Sequence, residues 1–318
     1  MPAKIFIFIP AYNSAKYISE AIDSVLSQTF TDWELLIIDD ASGDDTFSIA
    51  QSYSARNSRI KALKNESNLG MLANWNKGIS FCNAPYFVKL DADDIWHPEI
   101  LQSSLDILEA IPEVALVFTK YITIDSNGRI TGNEMQLPDF AREKPFSCVP
   151  LVNLGAHKML GFPVLRQGLS IIRKKVFDEI GVYAHLLTPE TQASTDTEFY
   201  FRVGCHYQIY CIDRTLYYYR VHESSISQTD KVNKLQERKM YELKMVINDY
   251  YFKNDKISRL QWRRNKRKTE FDYRVFLVYI NRTERQFLNA FLLIMRNFFQ
   301  MPVETCRFYT SRLLSKRF

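Results

Sequence analysis

The stretch VKLDADDIWHP, residues 88–98, decides how the rest of the chain is read. An apolar strand runs into Asp91, Asp93 and Asp94, three acids within four positions. Like charges this close repel, and each pair costs roughly a kcal/mol or more at short range in a partly buried setting. A turn needs one such residue. Three of them at a strand tip predict something positive that holds them together.

Working outward, the same pattern recurs. KIFIFIP (4–10) reads as a buried strand and is followed by Ala11, Tyr12 and Asn13. Tyr17, Ile18, Ala21, Ile22, Val25 and Leu26 then repeat at helical spacing, with Asn13 or Ser14 as a candidate cap. WELLIIDD (33–40) is the next strand and ends on Asp39 and Asp40. A helix follows from about Asp44, then a short strand near Ile60–Leu63, a helix over 71–82, and the strand YFVKLDADD (86–94). Pro98–Ile111 reads as helix, VALVFTKYITI (114–124) as strand, and DSNGRI as a turn into a hairpin partner. Near-continuous apolar strands alternating with amphipathic helices predict an α/β fold, a mostly parallel Rossmann-like sheet flanked by helices on both faces. Residues 132–168 are irregular and read as loops over the active face, 169–222 return to strand and helix pieces, and from 230 the pattern is helical. The expected organisation is one α/β domain over 1–229, divided at 125/126, followed by a helical C-terminal extension over 230–318.

Composition agrees with a globular chain. Of the 318 residues 46% are hydrophobic and 24% charged, ample material for a core. The five cysteines are odd in number and none form a CxxC pair, which argues against a disulfide framework or a structural zinc site and fits a reducing compartment. The N-terminal apolar run is too short for a leader core, and no segment reaches the ~20 uninterrupted apolar residues of a membrane span. The net charge of +5 is unevenly spread: residues 230–318 hold 21 Lys+Arg against 9 Asp+Glu, +12, which leaves −7 over 1–229.

In open α/β sheets, ligands bind beyond the carboxyl ends of the strands. The acids after the second and fourth strands fall there, as does the PAYN turn. A hard divalent cation, Mn²⁺ or Mg²⁺, bound by carboxylate oxygens and completed by water and substrate phosphates, would neutralise them. The cluster predicts a metal that holds a diphosphate.

These blocks resemble the inverting glycosyltransferases of family 2, with the GT-A fold. The matching residues are FIPAYNSAKYISEAIDSVLSQTF, LLIIDDASGDDT, NESNLGMLANWNKGI, VKLDADDIWHPEIL, and later TDTEFYFRV and YYYRVHESSIS. The resemblance covers roughly residues 3–227 and implies that 1–229 is a catalytic domain, with a nucleotide-binding half over 1–125 and an acceptor-binding half over 126–229. It implies that Pro10, Ala11, Tyr12 and Asn13 line the nucleotide base and that Asp40 accepts a hydrogen bond from a base N–H, with Asp39 structural. Asn68 and Gly70 would shape the loop near ribose or diphosphate. Asp91 would reach the ribose or a metal-bound water, Asp93 would ligate the metal, and Asp94 would cap the following helix. Asp196 matches the family's base, whose carboxylate takes the acceptor's proton; an N-cap is the competing role. Glu198 would orient substrate or pair with Arg202. His222 matches a position near the metal, and Arg220 would meet diphosphate oxygens or be a surface charge. Two positions depart from the pattern: Thr195 stands where the family often has Glu, and Trp75 where it more often has Arg.

The implied partners are a nucleotide-sugar donor, UDP-linked, and a glycan or lipid-linked glycan acceptor in capsule, O-antigen or other surface polysaccharide synthesis. Phe162 or Trp96 would stack on a sugar or pack in the core. In the basic tail, residues 285–303 place Phe and Leu beside Arg296, which suits either a membrane surface or ordinary helix packing. A cytoplasmic protein, peripheral on the inner membrane face, is the expectation from that tail, and a homo-oligomer is compatible with it. Nucleic-acid binding is disfavoured by the acidic front domain. A sugar nucleotidyltransferase would carry a Gly-rich basic loop after the first strand, which PAYNSAKY lacks; a non-catalytic scaffold would have lost the DxD or the base.

Overall fold

The computed structural model describes residues 3–132, 134–137, 139–149, 170–183, 195–222, 235–283, 287–301 and 305. Two compact units divide the chain: Met1–Cys148 with Phe162–Asn233, and Val149–Gly161 with Lys234–Phe318.

The first unit is built on one eight-stranded sheet of order β3-β2-β1-β4-β7-β6-β8-β5. Its strands are β1 (Ile5–Ala11), β2 (Trp33–Asp39), β3 (Ile60–Lys64), β4 (Tyr86–Lys89), β5 (Ile95–Trp96), β6 (Val114–Ile124), β7 (Ile171–Arg173) and β8 (Gln208–Arg220). The helices are α1 (Ile18–Leu26), α2 (Thr46–Arg56), α3 (Met71–Ser80), α4 (Ile100–Ala110), α5 (Lys175–Ile180) and α6 (Thr195–His206). β3, β2, β1 and β4 pair in parallel, which the uninterrupted apolar character of β1 and β2 requires, since both of their faces are covered. The other half is mixed. β7 runs antiparallel between β4 and β6, β5 runs antiparallel to β8, and β6 and β8 pair in parallel.

One face buries Ile5, Ile7, Ile9, Leu35 and Ile37 against the Ile18, Ala21, Ile22 and Val25 stripe of α1 and against Leu101, Leu105 and Leu108 of α4. The opposite face is aromatic: Phe87 meets Phe6, Phe8 and Phe177, and Phe177 stacks on Phe199. Helix α3 comes close to this face because Gly78 has no Cβ; one built there would lie 2.5 Å from the Phe8 ring.

Several local expectations need correction. The fourth strand stops at Lys89 rather than running to 94, and the acids form a turn in which Asp94 N–H donates to the Asp91 carbonyl at 3.1 Å. DSNGRI does make a turn, closed by the Asp125 carboxylate on the N–H groups of Asn127 and Arg129, but its return strand is reduced to the single bridge Ile124–Ile130. Arg142 and Phe146 bridge Cys211 and Ile209 in the first half of β8, at the sheet edge opposite the acids. The described part of 132–168 therefore does not lie over the active face; 150–169, with Phe162, falls outside the described residues. Trp96 is buried in the core, so its packing role is the observed one.

The second unit contains α7 (Leu235–Lys253), α8 (Arg259–Thr283) and α9 (Phe287–Gln300). Leu243, Ile247 and Tyr251 form a buried stripe on α7. Tyr241 stacks on Tyr273 at 4.3 Å, Asn265 donates to Asn248 at 3.0 Å, and Arg274 donates to Asn297 at 2.5 Å, so buried polar pairs fix the register of these helices. No described helix is long and apolar enough to cross a membrane.

Candidate active site

The parallel strands deliver their carboxyl ends to one edge. β1 and β2 end in register, Ala11 opposite Asp39, and Asp40 N–H donates to the Ala11 carbonyl at 2.8 Å. The loop after β2 then folds over the loop after β1. Asn13, in the left-handed region at φ 48°, donates its N–H to Ser42 Oγ at 2.9 Å and accepts from Gly43 N–H at 3.0 Å. Ser14 N–H reaches Thr46 Oγ1 at 2.8 Å and Ala15 N–H reaches Asp44 at 3.1 Å. Neither Asn13 nor Ser14 caps α1 by its side chain: Asn13 is spent on the neighbouring loop, and it is the Ser14 carbonyl that receives the N–H groups of Tyr17 and Ile18. Pro10 and Ala11 set the floor, and Tyr12 stands 52% exposed above it, available to a flat ring and not part of the core.

Asp39 is wholly buried, with Ser42 donating both N–H and hydroxyl to it. Asp40 is also buried and gathers three donors: Asn65 Nδ2 at 2.7 Å, Leu69 N–H at 2.8 Å and Gly70 N–H at 2.9 Å. Asn68 adds a second acceptor for Gly70 N–H, and Gly70 sits at φ 82°, a conformation that a side chain would strain. Asp40 thus positions the Asn68–Gly70 loop directly. Its two oxygens offer about four lone-pair sites, so one remains for a ligand N–H.

The acids after β4 are arranged differently. Asp94 is fully buried, where it accepts Arg220 N–H at 2.7 Å and bonds the Tyr217 hydroxyl. It fastens the acidic turn to β8 and does not cap α4. Burial, then the charges of Asp93 and Asp91, push it well above the usual carboxylate range. Asp93 Oδ2 lies 3.0 Å from His222 Nε2, across 129 residues of sequence. Burial and the neighbouring Asp91 also raise Asp93, while His222 opposes the rise. The His222 ring packs 4.9 Å from Tyr17. Arg220 is buried rather than a surface charge: it donates to the Asp93 carbonyl at 2.7 Å, to the Asp125 carbonyl at 3.2 Å and to Glu20 at 2.8 Å, over the Tyr17 ring. Its guanidinium braces the acidic turn from behind.

Among the described residues, no group of three or more His, Cys, Asp or Glu is placed to hold a metal ion. Asp93 and His222 nonetheless converge one hard oxygen and one imidazole nitrogen, both partly open to solvent. That donor pair fits Mn²⁺ or Mg²⁺ of the kind held by one or two side chains, with substrate phosphates and water completing the shell.

Asp196 lies in the first turn of α6, where the helix N-terminus favours an acid. Its Oδ1 accepts the Thr197 N–H at 2.7 Å, one residue on, so it lies inside the helix start and not at the cap position. Burial pushes its carboxyl up to about 6, with Lys89 opposing and Asp91 adding to the rise. Glu198 pairs with Arg202, whose guanidinium also meets the carbonyls of Ile180, Gly181 and Val182; this buried strut ties α6 to the end of α5 and leaves Glu198 no role toward substrate.

Sequence reasoning missed Lys89. It is 2% exposed, bonded to Asp91 and 4.0 Å from the Trp75 ring. A lysine inside an otherwise apolar strand was the available signal. The Asn65–Asn74–Lys77 network behind Asp40 was missed as well, because nothing in its spacing marks it.

Comparison with known proteins agrees with this geometry. The profile of Glycosyl transferase family 2 matches residues 6–181. The chondroitin synthase of Escherichia coli is 36% identical over 140 residues, covering 44% of this chain and 20% of that protein. The putative glycosyltransferase EpsE of Bacillus subtilis is 34% identical over 126 residues, 39% of this chain and 45% of that protein. The chain thus spans less than half the length of either relative. Among solved structures, S. aureus TarS 1-349 with UDP-GlcNAc superposes with a TM-score of 0.63 at 19% identity, covering 90% of this chain and 79% of that one. The Pyrobaculum calidifontis mannosyltransferase with GDP-Man and Mn²⁺ gives 0.56 at 12%, covering 100% and 81%. These likenesses establish a GT-A fold. With the profile match extending over more than half of its length, the chain belongs to glycosyl transferase family 2, a family of transferase enzymes.

Proposed function

We propose that this chain moves a sugar, with inversion, from a UDP-linked donor to a hydroxyl of a glycan or lipid-linked glycan, in the synthesis of a bacterial surface polysaccharide. The observation that carries it is the meeting of Asp93 and His222 at 3.0 Å beside an acidic turn at the carboxyl edge of the sheet. Asp93 and His222 would hold Mn²⁺ or Mg²⁺, and Lewis-acid stabilisation of the leaving diphosphate is the chemistry such an ion would supply. Tyr12 with Pro10 and Ala11 receives the base, and the loop shaped by Asp40, Asn68 and Gly70 borders the ribose and diphosphate. Asp91 takes up a donor hydroxyl. Asp196 accepts the proton of the acceptor hydroxyl as that oxygen attacks the anomeric carbon, and the bond to the diphosphate breaks on the opposite face. A carboxyl near 6 is ionised at neutral pH yet basic enough to help. The chain's relatives support polysaccharide chemistry, and the UDP-GlcNAc complex of TarS supports the donor class. A +12 C-terminal region with Phe291, Leu292 and Met295 exposed on α9 supports peripheral binding to an anionic bilayer on the cytoplasmic side.

The test is UDP binding by calorimetry with and without Mn²⁺, together with hydrolysis of a panel of UDP-sugars. Asp93→Ala is expected to lose the Mn²⁺-dependent part of UDP binding. Asp196→Asn is expected to keep it while turnover falls by about 100-fold or more. Normal turnover in Asp196→Asn would remove the base assignment, and Mn²⁺-independent UDP binding would remove the metal.

A further inference from the structure

Besides Arg220, the site holds a second buried cation, Lys89. It points from the end of β4 on the same face as Phe87, into a pocket made by α3 and the acidic turn. Its Nζ bonds the Asp91 carboxylate and sits 4.0 Å from the centroid of Trp75, whose ring abuts Tyr183 edge-on at 5.4 Å. Asp196 feels the fields of both Lys89 and Asp91, and Tyr183 those of Asp196 and Asp91, so these groups share one neighbourhood. A buried ammonium is costly unless paired. Its partner here is the donor-side acid, while its field reaches the base on the acceptor side. Trp75 occupies the position where an arginine was expected, and the cation beside that ring comes from the strand instead.

We propose that Lys89 is a positioning residue for the transfer: its ammonium, clasped between the Trp75 ring and Asp91, aims the Asp91 carboxylate at the donor and keeps one positive charge facing Asp196. This depends on Asp196 being the base. Among the described residues, the charged and titratable groups facing Asp196 are Lys89 of β4, Asp91 of the acidic turn, Tyr183 after α5, and Tyr200 of its own helix; the Glu198–Arg202 pair on that helix is internally neutralised. Of these, Lys89 is the cation whose removal pushes the base upward.

The experiment compares full-length wild type, Lys89→Met, Lys89→Arg and Asp196→Asn. It measures Mn²⁺–UDP affinity, melting temperature, and kcat and KM for UDP-sugar hydrolysis as a function of pH. Lys89→Met is expected to bind Mn²⁺–UDP as wild type does while kcat falls by about 10- to 100-fold, the scale of a misplaced catalytic group. Its acid limb should move up by about one pH unit, as a carboxylate does on losing a nearby cation. Lys89→Arg should recover most of both. An unchanged kcat in Lys89→Met overturns the proposal, and so does a loss shared by Lys89→Arg together with early melting, which marks a purely structural lysine. A fall in kcat with the limb unmoved overturns the link to Asp196. If Asp196→Asn turns over normally, the base itself is misassigned and Lys89 loses its role with it. If Asp196→Asn is dead and Lys89→Met is normal, the lysine alone is wrong.

Discussion

Two parallel strands of this sheet, β2 and β4 on either side of β1, end in acids, and the two ends use them in opposite ways. After β2, Asp39 and Asp40 are buried and held by hydrogen-bond donors: Ser42 of their own loop for one; Asn65, Leu69 and Gly70 of the loop after β3 for the other. After β4, Asp91, Asp93 and Asp94 face one another, and burial with mutual repulsion raises Asp93 and Asp94. The cause lies in the residues that come after each strand. DDASGDDT is a run of small and turn-forming residues that folds back and brings Ser42 N–H onto Asp39, while the loop after β3 turns the N–H groups of Leu69 and Gly70 onto Asp40, and together they clasp the carboxylates. DADDIW closes a tight turn and enters β5, so its backbone is spent on the turn and the sheet, and the carboxylates are left with a lysine, a histidine, the Tyr217 hydroxyl and the main chain of Arg220. An apolar strand followed by aspartates is therefore one sequence signature with two physical meanings. Available backbone donors decide which one holds.

Neutralising one acid at each end separates the two meanings, and this carries the largest effect. Asp93→Asn is expected to weaken Mn²⁺-dependent UDP binding by about 100-fold or more, since a charged oxygen ligand is lost. Its melting temperature should stay level or rise, because a repulsive charge has gone. Asp39→Asn should do the reverse. Loss of charge-assisted bonds from Ser42 costs roughly 1–3 kcal/mol of stability, read as a lower denaturation midpoint, while the folded fraction still binds UDP. If both variants lose stability and neither loses metal-dependent binding, the distinction between clasp and site fails.

How much of this was legible beforehand follows the same division. The parallel half of the sheet could be read because β1 and β2 are buried on both faces and announce it by unbroken apolar runs. The mixed half could not: β7 and β5 are three and two residues long, and what inserts them is long-range pairing, not local pattern. At the site, Asp93, His222 and Asp196 were nameable from residue type and resemblance. Arg220 and Asp94 were misread because burial turns an arginine and an aspartate into braces, and burial on β8 depends on contacts more than 120 residues away. Lys89 was visible as a charge inside a strand, but its meaning required the Trp75 ring above it.

Acid titration sharpens the comparison further. Asp196 is raised to about 6 from an unfolded value near 3.8, and Asp93 and Asp94 are raised as well. A carboxylate raised by folding binds protons more tightly when folded. Its contribution to stability is complete below the unfolded pKa and lost as pH rises through the folded one. The metal-free protein is therefore expected to melt higher at pH 5 than at pH 7.5. Asp44, Glu99, Asp125 and Glu134 are lowered, so they are ionised in both states across this window and contribute no slope. Turnover should run the opposite way, climbing with pH through about 6 as Asp196 ionises. Asp196→Asn should flatten part of the stability slope.

The smallest effect is expected where burial and neighbouring acids already favour the neutral carboxyl. Asp94 is buried beside two other acids, which push its carboxyl well above the usual range and favour the neutral form, and Asn has nearly its shape. In Asp94→Asn the amide oxygen can still accept Arg220 N–H, and the amide nitrogen can donate to the Tyr217 hydroxyl oxygen. The exchange is expected to cost under about 1 kcal/mol and to leave Mn²⁺–UDP affinity nearly unchanged, because it swaps one neutral hydrogen-bonding group for another. Asp94→Leu is the contrasting variant: it leaves the Arg220 N–H buried without a partner and should destabilise by about 1–3 kcal/mol. Urea midpoints of the two variants at pH 7.5 decide the matter. Should Asp94→Asn fall as far as Asp94→Leu, the acid is ionised in the native protein, and the β4 end then carries one more negative charge than the lysine and a divalent ion are asked to balance.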